Sequence, residues 1–139
     1  MSKTNTGENY VLLWLLNATD SLAGVVTLHC SLHSSSPGEG GDQTTGEITY
    51  TGYARITASR SGSGFTIAGS NGSNAADLSW GKKTAGGDVT ATYVGIGKDL
   101  AGVGVLLAYA LITNPAAGLL ISNGVIPKIL LGDLDWNED

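Results

Sequence analysis

The chain has 139 residues with 21 glycines, only 14% charged residues and a net charge of −5. That length fits one domain able to bury about 70% of its unfolded surface, and leaves no room for a second catalytic domain. At 42% apolar it is too hydrophobic to be disordered by composition, and its acidic balance disfavours a nucleic-acid partner, which needs basic patches.

Residues 1–9 read as a polar arm. The segment Glu8–Leu16 predicts a short helix, with Thr6 as N-cap and Glu8 near the positive end of the helix dipole. Leu12, Leu13, Leu15 and Leu16 make it apolar all round, which predicts burial against something. A buried strand is the competing reading, because a seven-residue apolar run has no deciding periodicity. The run is far short of the roughly 20 residues of a membrane helix. No signal peptide is read either, which predicts a protein made and kept in a cytosol.

Val25–His33 is the clearest strand. Val26, Leu28, Cys30 and Leu32 alternate with Thr27, His29, Ser31 and His33, so one face is apolar and the other is expected to be polar. A loop rich in Ser, Gly and Pro follows to Asp42. Further strands are expected at Ile48–Tyr50, Tyr53–Ala58, Phe65–Ala68, Ala76–Trp80, Val89–Ile96 and Val103–Thr113, with loops between, including Gly69–Asn74. Asn123-Gly124 predicts a hairpin joining Leu119–Ile121 to Val125–Ile126, and Ile129–Leu131 and Leu134–Trp136 close the chain. About eight short strands with Gly/Ser turns predict an all-β antiparallel sandwich or barrel with a short N-terminal helix, as one domain spanning 1–139.

Chemistry-bearing patterns are sparse. His29 and His33 lie about 13 Å apart along a strand, too far to share one metal ion. Cys30 falls on the apolar face and reads as buried and inert; as the only cysteine it forms no intrachain disulfide. Glu39, Asp42 and Glu47 do not match a calcium loop. Phosphate loops and nucleophile elbows have no counterpart. The expectation is therefore no enzyme, no catalytic residue, no cofactor, no metal, no nucleic acid and no membrane. Arg55 is expected either to meet a carboxylate or backbone carbonyls, because a buried guanidinium needs its donors satisfied, or to lie on the surface. The last seven residues, 133–139, hold Asp133, Asp135, Glu138 and Asp139 around Trp136, which reads as a solubilising acidic tail or as an anionic segment with an aromatic anchor that docks on a basic neighbour.

Three blocks carry a family resemblance. They are Tyr10–Thr19, ending in Leu-Leu-Asn-Ala-Thr; Leu32-His33 through Pro37-Gly38 and Glu47 to Tyr50-Thr51-Gly52-Tyr53-Ala54-Arg55; and Thr92–Ile96 with Leu107–Leu111 and Gly132-Asp133-Leu134. Together they resemble small tailed-phage virion proteins. Such proteins are often labelled tail-fibre proteins, and some look like capsid cement (decoration) proteins with a jelly-roll-like sandwich. The chain departs from the family pattern at Lys98–Gly102 and Asn123–Lys128. The resemblance implies a structural virion protein on the capsid exterior, a cement protein bound to the major capsid protein lattice; a homo-oligomer, dimer or trimer, is expected because closed symmetric oligomers are the norm. The alternative it leaves is a tail-associated fibre or a receptor- or glycan-binding module. Tyr10, Trp14 and Trp136 are the expected interface residues.

Overall fold

The computed structural model describes residues 2–137, and at Trp136 and Asn137 the backbone alone. In chain order its elements are β1 (Ser2–Lys3), α1 (Asn5–Asn17), β2 (Thr27–His33), β3 (Ile56–Ser59), β4 (Phe65–Ala68) and β5 (Asn71–Asn74). These are followed by β6 (Leu78–Ser79), β7 (Val89–Ala91), β8 (Tyr93–Gly97), β9 (Leu106–Leu111), β10 (Leu119–Ile121), β11 (Lys128–Ile129) and β12 (Asp135–Asn137). All pairings are antiparallel, and the architecture is the expected β-sandwich with one N-terminal helix.

One layer is a five-stranded sheet in the order β1-β9-β8-β2-β3. The other is built from three small sheets, β10-β7, β11-β6 and β12-β5-β4. Register explains where the core sits. Cys30 is opposite Ile96 and Ile56, Leu32 opposite Val94, and Leu28 opposite Ala58, so these side chains share one face of the large sheet. That face packs on Phe65, Leu78, Trp80, Ile121, Ile129 and Leu134 from the second layer. The Trp80 indole N–H donates to the Cys30 carbonyl at 3.2 Å, tying the layers together. Burial without a partner pushes the Cys30 thiol up to about 12.

Several expectations are corrected. The segment read as an arm is structured: Ser2 and Lys3 pair with Tyr109 and Ala108, and the helix starts at Asn5 with Thr4, not Thr6, as its N-cap. Asn71–Asn74, read as a loop, is a strand, because β4 and β12 flank it and supply its hydrogen bonds. Asn123-Gly124 does turn, but β10 pairs with β7 and Val125–Ile126 forms no strand. The polar face of β2 is also not solvated. His33 and Ser31 are fully buried and His29 nearly so, since the 34–47 loop covers them. Gly97 makes room for this cover: a Cβ there would lie 2.1 Å from the Gln43 amide carbon.

Candidate assembly face

The N-terminal end of α1 is firmly seated. Thr4 accepts from the Gly7 N–H at 3.1 Å and donates its hydroxyl to the Leu106 carbonyl, capping the helix and anchoring it to β9 at once. Gly7 touches β9 directly, and a Cβ there would sit 2.2 Å from the Leu107 carbonyl oxygen. Only glycine permits that approach. Asn5 donates its N–H to the Glu39 carbonyl at 2.9 Å, which joins the helix start to the 34–47 loop.

Beyond this anchor the helix rises from the sheet. Gly7 is its one fully buried residue. Leu12, Trp14, Leu15 and Leu16 are 53–72% exposed. The expected burial of Tyr10–Leu16 is therefore corrected: within one chain the segment is mostly uncovered. Residues 7, 10, 11 and 14 recur on one side of a 3.6-residue helix, and Leu12 and Leu16 fall on the other. The inner side leaves an apolar cleft of about 360 Å³, lined by residues that include Tyr10, Val11, Trp14, Leu28, Ile96 and Leu107. Arg60 and Asp20 stand at its edge, 3.9 Å apart. Arg60 also donates to the Leu22 and Val25 carbonyls at 2.9 and 3.3 Å, stapling the α1–β2 connection to the end of β3.

Helix C-terminal geometry adds to this. Ala18 takes the left-handed conformation at φ 50°, and its N–H reaches back to the Leu13 carbonyl. The apolar half of α1 thus ends in a defined turn.

Two polar clusters lie elsewhere. Glu47 accepts from Arg55 Nε at 2.8 Å and Nη2 at 2.7 Å, and from the Tyr53 hydroxyl at 2.8 Å. Arg55 also donates to the Asp99 and Gly102 carbonyls, at 3.2 and 2.7 Å. Both modes expected for Arg55 are present together, and the carboxylate holds its guanidinium pKa up. Desolvation does the same to the Tyr53 phenol. The second cluster, missed in the sequence, is Ser31 with His33 at 2.8 Å. Spacing of two on a strand was the available signal, since it puts both on one face. Both residues are fully buried, and His33 Nδ1 meets the Thr45 carbonyl rather than a carboxylate, so the pair presents no nucleophile to solvent.

The sequence profile of a family described as podophage GP4 fiber I protein gp80 matches residues 2–137. The chain belongs to this podophage fibre-protein family. It is accordingly a structural protein of a phage virion. No curated protein matches the chain. In this family member, Tyr10 and Trp14 come together at the α1 cleft, Tyr10 half-buried and Trp14 exposed. Trp136, in β12, pairs with Gly72 of β5, and its side chain lies outside the described residues. Of the acidic tail, Asp133 and Asp135 are exposed, while Glu138 and Asp139 lie outside the described residues.

Proposed function

We propose that the protein is a building block of a virion fibre that joins further copies of itself through the apolar outer face of α1. The observation that carries this is the exposure of Leu12, Leu15 and Leu16 on a helix whose other end is locked to β9. Exposed contiguous apolar surface of this kind marks an interaction site. Self-association is the economical reading, because homo-oligomers are the rule for soluble assemblies and a helix face can pair with its own copy about a two-fold axis. The family description, a fibre protein, supports the fibre placement.

A second reading is favoured by shape. The surface area is 7082 Å², against roughly 6,700 Å² expected of a compact monomer of this mass. A compact bead without repeats suits a cement protein seated on the major capsid protein lattice as well as a fibre segment. Quantitative mass spectrometry of purified particles separates the two. Copy number fixed by the single tail vertex supports the fibre; copy number commensurate with the major capsid protein supports cement and overturns the fibre placement.

A further inference from the structure

His33 ends β2 with both ring nitrogens engaged and no exposed surface. Nδ1 lies 2.8 Å from the Thr45 carbonyl, which can only accept, so Nδ1 carries the proton. In the neutral ring Nε2 then accepts from the Ser31 hydroxyl at 2.8 Å. β8 closes the seat: a Cβ at Gly95 would be 2.6 Å from Nε2. The Thr45 contact holds the 34–47 loop down. That loop in turn donates Gln43 N–H to the Val103 carbonyl at 3.1 Å, accepts from Asp99 N–H through the Gln43 amide oxygen at 3.0 Å, and receives the Asn5 N–H at Glu39.

We propose that His33 is an acid-released latch that fastens the 34–47 loop, and through it the start of α1, to β2. A proton arriving at Nε2 would point at Ser31 Oγ. Ser31 would have to turn its hydroxyl away, and among the described residues that hydroxyl makes no hydrogen bond except the one to His33. The charged ring would also be enclosed. The charged groups around it are Asp42 and Glu47 on the loop, which favour the cation, and Arg55 ahead of β3, which opposes it. β8 presents the phenol Tyr93, the register partner of His33, together with Gly95. Burial outweighs the carboxylates, so the folded ring titrates below the ordinary histidine range.

The sign follows by linkage. The folded pKa is depressed below the unfolded value of ~6.5, so the opened loop binds the proton more tightly than the closed one. Opening is independent of pH above about 6.5. It grows by up to tenfold per pH unit as pH falls from there toward the folded pKa.

Hydrogen exchange on the intact protein between pH 7.5 and 5, corrected for intrinsic exchange, tests this while carboxylates stay ionised. The amides of the 34–47 loop and of Asn5, whose N–H is held by Glu39, should lose protection together as pH falls. His33→Gln keeps a donor and an acceptor without a titrating ring and should make that protection pH-independent; His29→Gln should leave the pH dependence intact. Loop protection that is unchanged across this range in the wild-type protein overturns the latch. So does pH dependence that persists in His33→Gln. Should that variant not fold, an NMR titration of the wild-type ring decides: a pKa at or above ~6.5 overturns the proposal, and a lower one with matching loss of protection supports it. The readout is loop opening, so it stands apart from whether α1 assembles.

Discussion

Replacing Leu12, Leu15 and Leu16 together by glutamine separates a face built for assembly from one built for folding. These side chains are 53%, 65% and 72% exposed in the single chain. Complete burial of a leucine is worth about 2 kcal/mol, so roughly 0.6 of that is still available from each when a partner covers it. The three together offer about 4 kcal/mol per subunit, hence about 8 kcal/mol across a two-fold pair in which both copies are substituted, a shift of roughly a millionfold in the dissociation constant. Glutamine has nearly the helix propensity of leucine, so the loss to the fold comes mainly from the covered part of the three side chains, about 2 kcal/mol in all. Sedimentation velocity over a range of concentrations reads the assembly, and circular dichroism with thermal melting reads the fold. The expected result is a folded variant, its melting temperature lowered by only several degrees, that stays monomeric where the wild type assembles. A variant that unfolds would place these leucines in the subunit core. A variant that assembles like the wild type would remove α1 from the interface.

Three further outcomes follow from local geometry. Gly7→Ala forces a methyl group 2.2 Å from the Leu107 carbonyl oxygen, and should lower stability by about 1–3 kcal/mol; an unchanged denaturation midpoint would show that α1 is not seated on β9. Arg55→Ala strands the Glu47 carboxylate in a site where the pair's side chains are only 4% and 12% exposed, and should cost about 3 kcal/mol in a urea titration. A melting temperature equal to wild type would make the pair a surface feature. Cys30, with no exposed surface and a thiol pKa pushed up to about 12, should resist a thiol reagent at pH 8 in the native protein and react fully once urea unfolds it. Fast native modification would contradict that burial.

Much of the sandwich was legible because β2 announces itself by alternation, and β4 and β10 by short apolar runs between turns. Alternation, however, reports two faces and not what covers them. His29, Ser31 and His33 read as a solvated face, yet a loop rich in glycine and serine folds over them through Gln43 and Thr45. Asn71–Asn74 has no apolar residue at all; its strand character comes from the two neighbours it pairs with, which no local window contains. The Asn-Gly turn was read correctly as a turn, but its flanking segments take other partners: β10 pairs with β7, and the Val125 carbonyl accepts from the Lys83 N–H. Tyr10 and Trp14 were read within one apolar run, and the structure brings both to the α1 cleft. Full burial of that run did not follow, because apolar character all round a helix is a demand for cover that one subunit need not supply. The Glu47–Arg55–Tyr53 cluster was half legible: Arg55 needed a partner, and spacing alone did not say which acid.

Immunogold labelling of intact phage particles with antibodies to the folded protein tests the fibre placement most directly. The account predicts label confined to the tail vertex and the appendages attached there. Label distributed over the whole head would contradict it and assign the protein to the capsid lattice.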